Sequence, residues 1–431
     1  MPGLNILILY GANATFTSTV MEHLQSYANH SRHSICFSSI HSFDPHSFPD
    51  LAAFDVVTLH YSFFPGLQWA MPAALERNLR NFTGLKVLFA QDEYDHTEAT
   101  RTWIEKLGIR CMFTCVPAEY IDHVYPRQRF PNVDFRTTLT GYVPEGHAEL
   151  PRPHLSQRPV VVGYRGRALH ARYGHLAREK LLIGERMRKE CEARQIPVDI
   201  ECAEDKRIYG RAWYEFLAQF RATLGTESGS NVFDEDGTLR ARIDEAQIAE
   251  PGVSYDTIHE RFIGEREGRI RMNQVSPRIF EAIAVHTALI LFEGEYSGVV
   301  KPWDHYLPLK KDFSNVDDIL ERLGDIPALD AMTRRAHADV IESGKFSYQA
   351  FVRDFDTYVE SRATPRGNIR FDPLRVEMPR DDRAGFLEIA PSSVTSRPVD
   401  ARWIARPAND GMLDKIPALQ RVRRVLGRLF G

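Results

Sequence analysis

Residues 273–298, NQVSPRIFEAIAVHTALILFEGEYSG, are the most informative stretch of this 431-residue sequence. The stretch begins polar and enters a helical pattern at Ser276 and Pro277, where a proline fits the first turn of a helix. An apolar run at 287–292 follows, which is typical of a buried strand, and a second polar turn comes after it. Helix, strand and turn in this order indicate one unit of an alternating α/β domain.

Three residues of this segment offer groups that can bind a ligand. Arg278 and Glu281 are three residues apart, so they share one face of the predicted helix. The start of the helix at Ser276 offers free N–H groups and a positive dipole end, which favour a phosphate group. Glu281, one turn further in, is placed to accept hydrogen bonds from the hydroxyls of a ribose. The segment therefore predicts a nucleotide-binding helix start.

The first half of the chain alternates short apolar runs with helical patterns. Strands are predicted at 5–10, 54–60, 85–90 and 110–115, with a helix at 17–27. Runs this short and this continuously apolar are typical of a parallel sheet that helices cover on both faces. The G-x-G-x-x-G signature of dinucleotide-binding domains is absent, and the turn Gly11-Ala12-Asn13 is a weak substitute for it.

The second half repeats this pattern after a proline-rich stretch at 144–159. Strands are predicted at 160–164, 198–202, 220–225 and 287–292, and a last long helix at 348–359. We predict an α/β fold with two Rossmann-like domains that face each other across a cleft. The predicted domains are 1–150 and 151–345, followed by a crossing helix at 346–362 and an extended tail at 363–431.

Composition narrows the class of protein further. The formal net charge is −4, so we expect no nucleic-acid partner. The five cysteines lack the paired spacing of a zinc site, and their scattered arrangement fits a reducing cytoplasm. No apolar run approaches the ~18 residues of a membrane span. The apolar N-terminus lacks a basic leader and a cleavage site, so we interpret it as a strand. We expect a cytoplasmic protein.

The segment 273–298 resembles the C-terminal domain of GT-B glycosyltransferases of the group-1 superfamily. The resemblance is carried by the pattern SPR-[IV]-FEA-[IL]-A, then a strand, then E-x-x-G, in which Ser276, Pro277, Arg278, Phe280, Glu281, Ala282, Ala284 and Gly298 take part. It covers residues 160–345, whereas the N-terminal half matches in architecture only. The resemblance implies a nucleotide-sugar donor bound mainly in the C-terminal half and an acceptor bound in the N-terminal half.

The resemblance also implies roles for individual residues of the donor site. It implies that Glu281 binds the ribose of the donor. It also implies that Arg165, together with Arg167 or Lys180, binds the diphosphate. Cations in these places would stabilise the charge that grows on the leaving group. Asn273 stands where many relatives carry a second glutamate that touches the donor sugar, so this departure leaves the sugar open.

Further candidates come from polar turns at predicted strand ends. Glu227 and Ser228 follow the strand at 220–225 and are candidate donor contacts, with a surface turn as the alternative. Asp92 and His96 follow the strand at 85–90, and we expect them to act as base or acceptor contact unless the loop is merely polar and capping. The Asp-x-Asp at 234–236 is better explained as a turn than as a metal site.

The predicted function is transfer of a sugar from a nucleoside-diphosphate sugar to the hydroxyl of a glycan or lipid-linked acceptor, in bacterial surface polysaccharide biosynthesis. We expect no cofactor and no metal. The basic amphipathic stretch 418–431 suits contact with the inner face of a membrane, with a helix packed on the body or a frayed end as alternatives. A sugar-nucleotide epimerase and a non-catalytic GT-B-like module remain open, and a nicotinamide-dependent dehydrogenase is disfavoured.

Overall fold

The computed structural model describes residues 3–11, 14–15, 17–40, 50–63 and 71–365, and the backbone of two short paired strands, Arg375–Glu377 and Glu388–Ala390. Ala12 and Asn13 of the predicted turn, and the basic stretch 418–431, lie outside the described residues. Among the residues that are described, no helix combines the length and the apolar character needed to cross a bilayer.

The first half of the chain forms a six-stranded parallel sheet. Its strands are β1 (Asn5–Tyr10), β2 (Ser34–Ser39), β3 (Val56–Leu59), β4 (Leu85–Phe89), β5 (Cys111–Thr114) and β6 (Asp134–Thr137), in the order β2-β1-β3-β4-β5-β6. Its helices are α1 (Ser18–His30), α2 (Ala73–Asn81), α3 (Thr97–Leu107) and α4 (Ile121–Val124). The central strands are buried along their whole length because helices cover both faces of the sheet.

The second half forms a five-stranded parallel sheet in the order β11-β10-β9-β7-β8. Its strands are β7 (Val160–Arg165), β8 (Val198–Glu201), β9 (Phe220–Gly225), β10 (Ala288–Phe292) and β11 (Leu307–Leu309). Its helices are α5 (Gly174–Ala193), α6 (Arg211–Leu217), α7 (Thr238–Ala249), α8 (Tyr255–Ile258), α9 (Pro277–Ala284), α10 (Val316–Arg322) and α11 (Ile326–Ala336). The predicted helix and strand in residues 273–298 correspond to α9 and β10.

The last described helix, α12 (Tyr348–Arg362), follows the second sheet in sequence but packs against the core of the first. Its aromatic side chains join those of α1 and β4: Phe351 and Phe355 lie edge-on or tilted against Tyr27 and Phe89. Asp356 is buried there and accepts hydrogen bonds from the Ser31 hydroxyl and the Arg32 backbone. The chain therefore returns to its first half after completing the second.

The predicted class, an α/β protein with two parallel sheets, is confirmed. The sequence missed β2 and β6, which lie at the two edges of the first sheet. β2 has the sequence SICFSS and β6 has DFRT, so polar side chains interrupt the apolar runs on which the prediction depended. The predicted boundary near residue 150 falls between β6 and β7, and the limits of the domains stay a prediction.

Both sheets reverse their strand order beside their first strand. In the first sheet the reversal separates β1 from β3, and in the second it separates β7 from β9. The loops that leave two such strands run in opposite directions, which opens a crevice at the carboxyl ends of the strands. Ligands of open parallel sheets bind in these crevices, so the fold directs attention to the residues that follow β7 and β9.

Candidate active site

Two cavities meet at this edge of the second sheet and together form the cleft. The smaller, about 190 Å³, lies where Gly166 and Thr226 follow β7 and β9. The larger, about 470 Å³, extends to Gln91 and Asp92, which follow β4 of the first sheet. Six residues line both cavities: Arg167, Lys180, Arg207, Trp213, Ser276 and Arg278. The cleft is therefore built by both halves of the chain.

Cations dominate the shared wall of the cleft. Arg167 comes from the loop after β7, Lys180 from α5 and Arg278 from the first turn of α9. Burial is the main cause that lowers the pKa of Lys180 to about 8, and Arg278 and Arg167 lower it further, whereas Asp92 opposes them. The Nζ atom of Lys180 donates to Ser228 Oγ at 3.2 Å. An anionic ligand would relieve the repulsion between these cations, so the wall is chemically suited to an anion.

The start of α9 adds the positive end of a helix dipole to the same wall. Ser276 is the extended residue before the helix, and Pro277 occupies the first turn, where its missing N–H costs no hydrogen bond. The N–H of Ile279 closes the first turn on the Ser276 carbonyl at 3.0 Å. Because Ser276 and Arg278 both line the cleft, the positive end of the helix dipole opens into it.

Glu281 lies one turn further along α9 and lines the larger cavity. Its carboxylate is buried, and Trp213 Nε1 donates to Glu281 Oε2 at 2.7 Å. Burial raises the pKa of Glu281, against the lowering effects of the Trp213 hydrogen bond and of Arg278. The Arg278 guanidinium in turn lies over the Trp213 ring, 5.0 Å from its centre. Trp213 therefore fixes both a carboxylate and a cation at the cleft.

Glu227 and Asn273, two predicted donor contacts, form hydrogen bonds that stabilise a loop. The carboxylate of Glu227 is buried and accepts the backbone N–H groups of Glu295 and Tyr296 at 2.8 and 3.0 Å. It also accepts Asn273 Nδ2 at 2.5 Å, while Asn231 Nδ2 donates to Asn273 Oδ1 at 2.9 Å. Glu227 and Asn273 are absent from the described lining of the cleft, whereas Ser228 is part of it.

Arg165 is engaged by the sheet on which it lies. Its guanidinium donates to both carboxylate oxygens of Asp199 on β8, at 2.7 and 2.9 Å, and lies 4.2 Å from the centre of the Phe216 ring. Arg165 is not among the described residues that line either cavity. This placement argues against the predicted phosphate-binding role of Arg165, because a competing anion would have to break a two-pronged ion pair.

The first sheet contributes Asp92 to the larger cavity. Asp92 has a positive φ of 57°, and its Oδ1 atom accepts the Tyr94 hydroxyl at 2.5 Å. His96 lies elsewhere: its backbone N–H donates to the Asp234 carbonyl at 2.8 Å, and its ring packs where a side chain on Gly237 would lie. The structure therefore separates the two predicted catalytic residues and leaves Asp92 alone at the cleft.

The sequence missed the segment before α6. Arg207, Tyr209 and Gly210 line the larger cavity together with Trp213, which α6 carries into both cavities. The one available signal was the concentration of arginine and aromatic residues at 207–214. That pattern does not distinguish a binding loop from a solvated one, because the direction of each side chain depends on how α6 packs against α9.

The Asp-x-Asp at 234–236 is a turn, as predicted. The Asp234 carboxylate accepts the backbone N–H groups of Leu239 and Arg240 at 3.1 and 3.0 Å at the start of α7. Asp236 Oδ1 accepts the backbone N–H of Thr238 at 3.0 Å. Both aspartates therefore satisfy free donors of a helix start, which is the usual role of this residue type there.

The pKa of Lys180 predicts how anion binding depends on pH. Below about 8 the side chain is protonated and attracts an anion, and as the pH rises through that value the charge is lost. We expect the affinity of the protein for a nucleoside diphosphate to fall about fourfold between about pH 7 and 8.5, as measured by calorimetry. Lys180→Arg keeps its charge over this range and should give a flat profile. An equally steep profile in that variant would assign the titration to another group.

Similarity to proteins of known structure supports the fold. No family model matches the sequence, and no curated protein matches it. An alpha-glucosyltransferase solved in complex with UDP superposes with a TM-score of 0.50 at 8% identity, over 83% of this chain and 100% of that chain. A DNA-modifying beta-glucosyltransferase gives a TM-score of 0.47 at 9% identity, over 83% and 100% of the two chains. At this identity the likeness shows the fold alone, and that fold is GT-B.

The expectation of no nucleic-acid partner is contradicted. An alpha-glucosyltransferase solved with UDP and a 13-mer DNA containing an HMU base superposes with a TM-score of 0.49 at 9% identity, over 83% of this chain and 100% of that chain. The physical reason is that a formal net charge of −4 averages over the whole surface. Binding of a polyanion depends on local groups of cations, and such a group lines the cleft.

Proposed function

We propose that this chain, which has the fold of the GT-B glycosyltransferases, is itself a glycosyltransferase that uses a nucleoside-diphosphate sugar. One observation carries the proposal: the cations Arg167, Lys180 and Arg278 line the crevice at the β7/β9 reversal together with the buried carboxylate of Glu281. A diphosphate needs the cations, and a ribose next to it needs an acceptor of hydrogen bonds. The spacing of Arg278 and Glu281 on α9 supports a ligand that carries both groups.

The donor would lie along α9. Arg167, Lys180 and Arg278 would neutralise the diphosphate, and the positive end of the α9 dipole would add to the attraction. Glu281 would accept hydrogen bonds from the ribose hydroxyls while Trp213 holds its other oxygen. UDP is the first nucleotide to test, because an alpha-glucosyltransferase with this fold was solved in complex with it. These cations would neutralise the charge of the diphosphate in place of a metal ion, so we propose a metal-independent reaction.

The acceptor would enter from the side of the first sheet, where Asp92 lines the same cavity as the cations. Its hydroxyl oxygen would attack the anomeric carbon of the donor sugar and form the new glycosidic bond. The bond between that carbon and the phosphate oxygen would break, and its electron pair would leave with the nucleoside diphosphate. Asp92 would take the hydroxyl proton. A glycan or lipid-linked hydroxyl in the cytoplasmic assembly of a surface polysaccharide is the proposed acceptor.

The donor site can be tested by thermal denaturation with a panel of nucleotides and nucleotide sugars. A ligand that binds only the folded protein stabilises it by about 2.7 kcal/mol at one hundred times its dissociation constant. We expect UDP or one of its sugars to raise the unfolding temperature, and Glu281→Gln to remove about half of that stabilisation through a roughly tenfold loss of affinity. Without ligand the variant should be no less stable, because burial already disfavours the charge of Glu281.

Glu321→Gln is the matched control, since Glu321 is an exposed carboxylate on α10 and absent from the described lining of the cleft. It should respond to every ligand as the unchanged protein does. Equal stabilisation of Glu281→Gln and the unchanged protein would mean that the ribose lies elsewhere. If no nucleotide stabilises the protein, the proposed function fails. Turnover of a nucleotide sugar without any acceptor would instead support an epimerase.

A further inference from the structure

A second cluster of polar side chains lies apart from the cleft, at the start of α5. It consists of His175, His259 and Glu267, hereafter the histidine cluster, and one ligand atom from each residue lies within 4.8 Å of the other two. None of the three is among the described residues that line the two cavities of the cleft. His175 is exposed and the other two are half-buried, so an ion could reach the cluster from solvent.

The separations within the cluster match those of a metal site. His259 Nε2 lies 2.7 Å from Glu267 Oε2, and His175 Nε2 lies 3.7 Å from the same oxygen. In a tetrahedral site with bonds of about 2.0–2.2 Å, neighbouring ligand atoms are about 3.3 Å apart. The two observed distances lie on either side of that value. Small rotations of the side chains would therefore bring all three atoms onto one ion.

The surroundings hold two of the three side chains in place. Glu267 Oε1 accepts the backbone N–H of His175 at 2.6 Å, which leaves Oε2 directed to the two imidazoles. The Tyr255 hydroxyl lies 3.5 Å from Nδ1 of His175, on the side of the ring away from the carboxylate. Hydrogen bonds to the outer atoms of ligands are what orients them in metal sites.

Two features of the backbone serve this arrangement. His259 begins a π-helical turn, in which the N–H of Gly264 donates to its carbonyl at 2.8 Å, and such turns occur often at functional sites. Gly174 has a φ of +70°, and a Cβ atom there would lie 2.3 Å from Glu267 Oε1. The backbone therefore makes room for the carboxylate at the point where α5 begins.

The local charges also permit a cation. Arg178, one turn into α5, is paired with Asp256 through an Nη1–Oδ1 contact of 2.5 Å. Glu267 supplies a negative charge to the cluster itself. Two imidazoles and one carboxylate are the ligands that Zn²⁺, Co²⁺ and Ni²⁺ prefer, whereas Mg²⁺ and Ca²⁺ prefer oxygen alone. Three protein ligands leave a fourth position for water.

We propose that the histidine cluster binds one divalent transition-metal ion of the Zn²⁺ class. The ion links the start of α5 to the π-helical turn and to Glu267, whose chain continues to Met272 and Gln274 in the wall of the cleft. Tyr173, the residue before α5, also lines the cleft. The site is separate from the donor chemistry proposed above, which uses no metal.

The test uses the full chain without an affinity tag, stripped of metal by a chelator. Titration with ZnCl₂ should show one equivalent bound and a rise in unfolding temperature. Titration with CoCl₂ should give the intense visible absorption of a four- or five-coordinate cobalt ion. His259→Ala and His175→Ala should each weaken binding by at least about 100-fold, and Glu267→Gln should do so by at least about tenfold.

His30→Ala is the matched control, because His30 and Glu145 form a 2.7 Å pair with no further ligand assigned to it among the described residues. That variant should bind zinc as the unchanged protein does. Three results overturn the proposal: no bound equivalent, binding that survives both histidine substitutions, or the weak absorption of a fully hydrated cobalt ion. None of them affects the proposed donor site, which the nucleotide titration tests independently.

Discussion

Lys180→Gln is expected to lower kcat/KM for a nucleotide sugar by about 10²–10³, the largest effect on activity that we predict. The side chain lines both cavities, and its charge lies beside Arg167 and Arg278, where the negative charge of a leaving diphosphate would grow. The free protein should not lose stability. Burial and the neighbouring cations lower the pKa of Lys180 from 10.5 to about 8, so at neutral pH the charged form is less favourable in the folded chain than in the unfolded one.

The measurement is a comparison of steady-state kinetics with denaturation. Lys189→Gln is the matched control, because Lys189 is an exposed residue on the same helix, α5, and is not among the described residues of the cleft. It should leave both kcat/KM and stability unchanged. If Lys180→Gln lowered activity only as far as it lowered stability, or left kcat/KM within about threefold of the unchanged protein, the diphosphate would not lie against Lys180.

Asp95→Asn is expected to destabilise the protein by about 3–5 kcal/mol, the largest effect on folding that we predict. Asp95 follows β4 in the first half, and its partner Arg172 precedes α5 in the second. The side chains of both are 5% exposed. Arg172 donates to both carboxylate oxygens, and the Tyr173 hydroxyl donates to Oδ2 at 3.0 Å. The substitution leaves the Arg172 cation buried without a counter-charge.

The pair lies within a set of backbone hydrogen bonds that join the two halves. The N–H of Asp234 donates to the Tyr94 carbonyl at 2.8 Å, and the N–H of His96 donates to the Asp234 carbonyl at 2.8 Å. Loss of the pair should therefore also disturb the alignment of Asp92 with the cations across the cleft. We expect a fall in activity in Asp95→Asn even under conditions where the protein stays folded.

Urea unfolding followed by tryptophan fluorescence measures the change in free energy. Burial raises the pKa of Asp95 more than Arg172 lowers it, so the ion pair itself is costly to bury. The double variant Asp95→Asn with Arg172→Leu should therefore recover much of the lost stability. Glu235→Gln is the control, since its ion pair with Arg101 also joins the two halves of the chain but Glu235 is exposed, and it should cost about 1 kcal/mol or less. A loss below about 1 kcal/mol in Asp95→Asn would contradict the expectation.

Local patterns were enough to predict the class of the fold. The runs at β1, β3 and β4 are apolar at nearly every position because helices cover both faces of a parallel sheet. Such a run can be recognised from consecutive residues alone. The start of α9 could also be recognised from neighbouring residues, because Ser276 and Pro277 fit the first turn of a helix whatever surrounds it. Edge strands such as β2 and β6 show no continuous apolar run, since their sequences mix polar and apolar side chains.

The lining of the cleft was predictable only in part. Arg167, Lys180, Ser276, Arg278 and Glu281 were predicted from the sequence, and all five line the cleft. Arg165 was predicted with them, but its partner Asp199 lies 34 residues away on the neighbouring strand. Asn273 and Glu227 hold each other across 46 residues. No local pattern predicts such pairings, because they arise when β8 lies beside β7 and when the segment before α9 lies beside the loop after β9.

The sequence by itself determined the parallel α/β class, the helix and strand at 273–298 and the turn at Asp234, because each depends on residues close together in the chain. Only the tertiary structure decided which cations face the cleft, which carboxylates brace loops, and how Trp213 holds Glu281 from 68 residues away. The physical reason is that burial and hydrogen-bond partners are properties of the packed sheets. Two arginines with the same local sequence surroundings, Arg165 and Arg167, have different roles because one lies within β7 and the other beyond its end.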